Sequence, residues 1–234
     1  MKITFISTIN DPSIPEPVPA VKKIPEWYKA IPRYTTGEKK PSANNSTSGT
    51  IKTCMPVLDA ITAGYLLLSS ADIFISKQPE GTYYQWANHA AVTFHSPNQI
   101  TGYPKSDAKL KGERAPKFMN PWIIQTPKNY SCLFISPLHH DLPFTTLAGV
   151  VDTDTYFNPV NFPFIPDPDF EGLIPRGTPI AQVIPFKRES WNMSIELQVE
   201  SENNQKKFLN VVGKLRGSFF DNYKKHFWVK KEYK

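Results

Sequence analysis

Two aspartates one residue apart, Asp152 and Asp154, close the apolar run Ala148–Val151, and by type and spacing they are the side chains best suited to chemistry. If the run continues as a strand, residues i and i+2 share a face. Both carboxylates would then enter one pocket, where one could orient a water or accept a hydrogen bond from a sugar hydroxyl. The plainer alternative is that Asp-Thr-Asp-Thr caps the turn at the strand end, which Asp and Thr do readily. Just beyond, Tyr156 offers a ring for stacking, with about 1–3 kcal/mol per stacked base available to such a face, or serves as ordinary core. Asn158 and Asn161 carry donor and acceptor together and could read a polar ligand edge, or hold a rigid loop between Pro159 and Pro163. What the carboxylates can do depends on whether a cation lies beside Asp152. Arg176 and Lys187 are the nearest candidates along the chain.

Other reactive groups are less well arranged. His139, His140 and Asp141 are metal-ligand types, but consecutive side chains diverge, and a third ligand would have to come from His89, His95 or His226. The reading is that no metal centre is built there. There is no Ser-His-Asp order, P-loop or dinucleotide glycine motif. Cys54 and Cys132 have no metal-ligand spacing and are too few for a disulfide framework, which points to a reducing compartment.

The elements that must position these residues are short. Among 234 residues there are 23 prolines and 11 glycines, which disfavours long regular helices and favours strands, turns and extended arms. The segment from Asp11 to Pro32 reads as a Pro-rich arm with apolar anchors, chiefly Trp27 and Tyr28 in a single helical turn. Thr35 to Thr50 reads as an exposed loop and Lys105 to Lys117 as a charged excursion. Strands are expected near Ile51–Cys54, Gly64–Ser69, Asp72–Ser76, Thr82–Trp86, Ala91–His95, Trp122–Gln125, Ser131–Ile135, Thr145–Asp152, Gly172–Ile174, Pro179–Phe186 and Trp191–Val199. The fold class that follows is all-β, a barrel or sandwich, divided into an arm and loop over 1–50, a β domain over 51–199 and a tail over 200–234.

In the tail, Phe208, Val211, Val212, Leu215, Phe219 and Tyr223 recur at helical spacing, so an amphipathic helix is expected despite Gly213 and Gly217. Residues 206–234 carry nine of the 27 basic residues and two of the 21 acidic ones, a net of +7, so the remainder nets −1. Lysines interleaved with Phe219, Phe220, Tyr223, Phe227 and Trp228 suit a nucleic-acid surface or an acidic protein partner. They suit equally a helix whose aromatics pack inward and whose lysines are solvated. Without a leader or an apolar run of membrane-spanning length, a cytoplasmic location is expected, in the host cytoplasm or a virion if the chain is phage-encoded.

The order of the central motifs resembles the dUTPase and dCTP-deaminase superfamily. Gly149-Val150-Val151-Asp152 matches the Gly-Val-Ile-Asp strand that reads the deoxyribose in those enzymes. Gly177-Thr178-Pro179-Ile180-Ala181-Gln182 matches their Gly-Asp-Arg-Ile-Ala-Gln turn and strand on the phosphate side. Upstream, Ala63, Gly64, Tyr65, Leu67, Ala71, Asp72 and Ile75 match the opening Ala-Gly-Tyr-Asp-Leu and Ala-x-Asp-x-x-Ile strands, and the likeness runs from about Leu58 to Phe186. It implies a β-clip fold, a homotrimer with pockets between subunits, Asp152 and Asp154 as catalytic candidates, and Tyr156, Arg176, Gly177 and Gln182 as ligand-binding candidates. Magnesium is implied only if a nucleotide is bound.

Two positions depart from that pattern. Leu66 stands where the family has an aspartate associated with the metal-triphosphate site, and it has no oxygen for magnesium. Ser136-Pro137-Leu138 stands where an arginine and paired hydroxyls would grip phosphate. Standard dUTPase activity is therefore not expected. The chain also resembles a family of bacterial and tailed-phage proteins through Ile-Pro-Glu-Trp-Tyr in the arm and the NPVNFPF and IPRGTPIAQVIPF strings, a likeness that brings no chemistry with it. The expected role is an oligomeric binding or assembly protein, with a nucleotide- or metabolite-binding enzyme using Asp152 as the alternative.

Overall fold

Period-two alternation builds most of the described chain, and β3 (Tyr65–Leu68) shows how. Leu67 points into the main core, while Leu66 and Leu68 point to the other face, where Val18 and Ala20 cover them. The strand is apolar on both sides because both sides are buried. The computed structural model describes residues 1–35, 49–87, 90–100, 102–103, 114–197, 201–216 and 222–234.

The remaining strands are β1 (Thr4–Ser7), β2 (Val18–Pro19), β4 (Ile73–Gln78), β5 (Gly81–Trp86), β6 (Val92–His95), β7 (Ala115–Phe118), β8 (Trp122–Gln125), β9 (Tyr130–Ile135), β10 (Phe144–Thr146), β11 (Gly149–Val151), β12 (Phe162–Pro166), β13 (Gly172–Ile174) and β14 (Pro179–Lys187). Among the described residues they form sheets in the orders β11-β9-β14-β3-β2, β10-β12-β7-β6, β13-β4-β5 and β1-β8. The architecture is all-β, as expected from the sequence. Ile73, Ile75, Ile124, Phe134, Ile174 and Val183 fill the core around a group of rings, in which Phe118 stacks on Phe164 with centroids 3.8 Å apart and meets Phe144 edge-on at 4.9 Å.

Contacts divide the chain into two compact units. The first comprises Met1–Lys23, Ile61–Arg188 and Tyr233–Lys234, and holds every strand named above. The arm is part of this unit as far as Lys23. Val18 and Pro19 pair with β3, Ala20 donates to the Gly64 carbonyl at 3.0 Å, and Trp122 Nε1 donates to the Pro15 carbonyl at 3.3 Å. The second unit comprises Ile24–Ala60 and Glu189–Glu232. It contains the helices α1 (Glu26–Ala30), most of α2 (Met55–Thr62), α3 (Glu202–Arg216) and α4 (Asn222–His226). Here Trp228 Nε1 lies 3.0 Å from each Asp59 oxygen and Lys231 Nζ lies 2.5 Å from Oδ2, so Asp59 on α2 holds the tail indole.

Several elements differ from expectation. Ile51–Thr53 is a 3-10 turn, because the Thr50 hydroxyl accepts from Lys52 N, and α2 follows with Pro56 in its first turn, where the missing N–H costs nothing. The expected strand Thr145–Asp152 is split into β10 and β11, which pair with different neighbours. NPVNFPF supplies β12 rather than only a loop, and Ala115–Phe118 is a strand. Of the strand expected at Trp191–Val199, residues 191–197 pair with no strand among the described residues. The α3 helix forms as expected, but Phe208, Leu209, Val211 and Leu215 on it are exposed. Most of the Thr35–Thr50 loop, the Lys105–Lys117 excursion up to residue 113, His89, Val199, Gly217, Phe219 and Phe220 lie outside the described residues.

Gly64 fixes the approach of β3 to β14. Its φ is +68°, and a Cβ there would lie 1.9 Å from the Val183 carbonyl oxygen, part of a backbone that cannot turn aside. Gly64→Ala is expected to cost about 3 kcal/mol or more, since strain and overlap combine. Urea unfolding followed by circular dichroism measures it, and a midpoint unchanged from wild type would contradict this account of the strand pairing.

Candidate functional site

β11 pairs with β9 through Gly149 opposite Phe134 and Val151 opposite Cys132, and the ladder stops at Val151. The chain then turns: the Asp152 carbonyl accepts from Thr155 N at 3.0 Å and from Tyr156 N at 2.9 Å. Thr153, buried inside the turn, shares a hydroxyl hydrogen bond of 2.8 Å with Thr126 and lies 3.3 Å from Cys132 Sγ. Asp152 and Asp154 thus leave a turn rather than a strand face, which corrects the geometry expected from the i, i+2 rule. They converge nevertheless.

What they converge on is Arg188, the residue after β14. Arg188 Nη1 and Nη2 donate to Asp154 Oδ1 at 2.9 Å and Oδ2 at 2.5 Å, a forked arrangement, and Nη1 also reaches Asp152 Oδ1 at 3.2 Å. Ser131 Oγ donates to the same Asp152 oxygen at 2.6 Å, and Arg188 Nη1 lies 3.0 Å from Ser131 Oγ and 3.1 Å from the Tyr130 carbonyl. Backbone fixes the rest. Asn129, in a left-handed turn at φ 69°, donates N–H to Asp154 Oδ2 at 2.8 Å, while its carbonyl accepts from Arg188 N at 2.8 Å. The Asp154 side chain is only 4% exposed and that of Asp152 is 61% exposed.

The electrostatics follow the contacts. Hydrogen bonds from Arg188, then from Asn129, hold the Asp154 carboxyl down at about 2 from its ordinary 3.8, and Arg188 is itself raised by Asp154. A carboxylate held this low is a poor proton acceptor near neutral pH. Burial pushes the Cys132 thiol up to about 11, so it is not a nucleophile.

The remaining candidates are dispersed. Gln182 is fully buried: its Oε1 accepts from Leu138 N at 2.8 Å and its Nε2 donates to the Ala63 carbonyl at 2.7 Å. It ties together the two segments the resemblance singled out. Gly177 (φ +83°) donates to the Ser69 carbonyl at 2.9 Å and accepts from Lys23 Nζ at 3.1 Å. Arg176 is held by its N–H to Asp72 Oδ1 at 2.7 Å and by Nη1 to the Ser13 carbonyl at 3.2 Å, so the cation beside Asp152 is Arg188, not Arg176 or Lys187. Tyr156 is exposed, and its hydroxyl accepts from Asn158 Nδ2 at 3.0 Å. Asn161 Oδ1 accepts from Asn120 N at 2.9 Å, and Asn158, Asn161 and Asn120 line a cavity of about 350 Å³ with Ser70 and Met119. Asp152 does not line it.

Arg188 is the residue of this cluster that sequence reasoning missed. No local pattern marks it: β14, which Arg188 follows, and β11, which the aspartate turn follows, are both neighbours of β9, and only that sheet order brings them together. The donor set does not fit the magnesium ion that the resemblance attaches to a nucleotide. Leu66 is fully buried, and the two carboxylates already share a guanidinium. Among the described residues no three His, Cys, Asp or Glu side chains converge as a metal site, and His140 Nε2 is buried without a hydrogen-bond partner. Burial, and secondarily Lys23, lowers the His140 pKa.

No family model and no curated protein matches the chain. Among solved structures, it is similar to a mutant dUTPase from phage phi11 of S. aureus, with 10% identity and a TM-score of 0.32 over 59% of this chain and 86% of that one.

A carboxyl depressed by folding stabilises the fold above its unfolded value and loses that contribution as pH falls through the folded one. For Asp154 the loss spans 3.8 down to about 2. Wild type should therefore lose more stability over this window than Asp154→Asn, as urea midpoints taken at pH 5 and pH 2.5 would record. In Arg188→Met, carboxyl NMR should show the Asp154 titration moving back up toward 3.8. An unmoved titration would mean that Arg188 is not what holds the carboxyl down.

Proposed function

We propose that this chain is an oligomeric β-clip binding or assembly protein that has diverged from nucleotide hydrolysis. The observation that carries the reading is the Asp154–Arg188–Asp152 cluster: the carboxylates best suited to general-base work are engaged in holding the end of β14. The supporting facts are of the same kind. Gln182 spends both ends of its amide on backbone, Leu66 packs against Ala20, and Ser136-Pro137-Leu138 offers no cation for phosphate. A homotrimer is the state that the sequence resemblance implies, and its likeness to tailed-phage proteins makes a multi-copy particle a natural setting.

The second reading, a pocket for a nucleotide or small metabolite, is favoured by the asparagine-lined cavity. Among the described residues no ionisable side chain lines it, so it suits an uncharged polar edge better than a triphosphate. On this reading Asp152, the more exposed carboxylate, would act from outside that cavity.

Light scattering after size exclusion should give a mass that is a multiple of the 26.6 kDa chain. A thermal-shift screen against nucleotides with and without magnesium should give no stabilisation. A nucleotide-dependent rise in Tm that disappears in Asp152→Asn would instead establish the enzyme-like reading.

A further inference from the structure

The asparagine-lined cavity of about 350 Å³ is built within the first unit, from the chain after β1, the β3–β4 connection, the β7–β8 turn and the segment entering β12. The polar groups around it are of fixed kind. Asn120 spends its amide on the wall itself: Nδ2 donates to the Trp122 carbonyl at 2.7 Å and Oδ1 accepts from Trp122 N at 3.2 Å. Asn161 Oδ1 accepts from Asn120 N at 2.9 Å, so its Nδ2 is the free end. Asn158 Nδ2 donates to the Tyr156 hydroxyl at 3.0 Å, so its Oδ1 is the free end. Among the described residues neither free end has a hydrogen-bond partner, and neither has the hydroxyl of Ser70. Ser70 is only 8% exposed, yet its hydroxyl is not sealed off as His140 Nε2 is. What it keeps open faces the cavity that it lines.

Between these groups the walls are aliphatic, from Met119, Pro121 and Pro159. Among the described residues no aromatic ring and no ionisable side chain lines the cavity, so a base gains no stacking there and a phosphate no counter-charge. One acceptor, one donor and one hydroxyl set among aliphatic patches match a ligand whose polar groups both donate and accept and whose carbon frame has apolar C–H faces. Hydroxyls on neighbouring carbons of a saturated ring have that chemistry. A cavity of about 350 Å³ is near the lower end of ligand pockets, which suits a single ring unit.

We propose that this cavity binds a neutral monosaccharide unit, with Asn158 Oδ1 accepting from its hydroxyls, Asn161 Nδ2 donating to them and Ser70 Oγ able to do either. The assignment rests on the second reading above, that the cavity is a ligand pocket, and supplies the ligand class. Asp152, Asp154, Tyr156, Arg176, Gly177 and Gln182 do not line it, so the site is built from other side chains than the pocket the resemblance implies.

Saturation-transfer NMR on the full chain tests this, with glucose, galactose, mannose and N-acetylglucosamine as probes, each also as its methyl glycoside, and with uracil and adenine for comparison. At least one sugar should receive saturation. Equal binding of its methyl glycoside assigns the site to the end of a glycan, and loss of binding in the glycoside assigns it to a free sugar. Asn161→Asp retains the oxygen that accepts from Asn120 N and replaces only the free donor, while Ser70→Ala removes only the hydroxyl; circular dichroism checks that both fold. Each should weaken sugar binding about tenfold. Sugar binding that is absent, or unchanged in both variants, overturns the saccharide assignment. If uracil or adenine binds instead, and loses that binding in Asn161→Asp, the pocket reading survives without the saccharide. If no probe binds, both fall.

Discussion

The guanidinium of Arg188 is the point on which the first unit's carboxyl chemistry and chain path both depend. It closes three things at once: the turn after β11, the turn before β9 and the last residue of β14. Each contact is local and polar, but the partners come from segments more than thirty residues apart in the chain. The pairing of β14 with β9 brings Lys187 opposite Tyr130, and this delivers Arg188 to the aspartates. The fold places the charge, and the charge in turn fixes the fold's last strand. Because Asp154 is nearly buried and receives three hydrogen bonds, it is a structural acceptor. Asp152, whose side chain is mostly exposed, does less of the holding.

The same constraint limits the functional readings available. A pair of carboxylates can bind a divalent cation, orient water or neutralise an arginine, but the geometry that favours one of these opposes the others. Here the guanidinium lies where a metal would have to sit between them. Leu66 tells the same story on the other side of β3. The position is dry because β2 pairs with β3 and sets Ala20 against it, so an aspartate there would be desolvated without a partner. The N-terminal arm thus decides what residue 66 can be: covering this face of the strand leaves no place for a charged side chain on it.

The strands that were legible in the sequence are those whose alternation ends at a clear punctuation mark. β8, β9, β13 and β14 fall within a residue of their expected limits because Pro, Gly or Asn bounds them. Those that were not legible depend on partners distant in sequence. β12 lies in an Asn- and Pro-rich string that reads as a loop, and it is a strand because Phe162 and Phe164 enter the ring cluster between β7 and β10. The α2 helix was hidden for the opposite reason, since eight residues with a proline carry too little periodicity to announce themselves. Of the candidate site, the pairing of Asp152 with Asp154 was visible in their spacing, but the identity of their cation was not. No local pattern links Arg188 to a turn 34 residues earlier. Only the antiparallel register does so.

The segment after Arg188 shows the reverse situation, in which local pattern is clear and the tertiary answer within one chain is missing. Trp191–Leu197 has the alternation of a half-buried strand, and a single copy leaves that face bare. A solvent-exposed row of Trp, Met, Ile and Leu carries a free-energy cost that loop composition normally avoids, and scattered surface apolar residues do not repeat at period two. The exposed face of α3, with Phe208, Val211 and Leu215 at helical spacing, has the same character in the same unit. The buried core cluster lies in the first unit, whereas the described residues of the second include two exposed apolar rows.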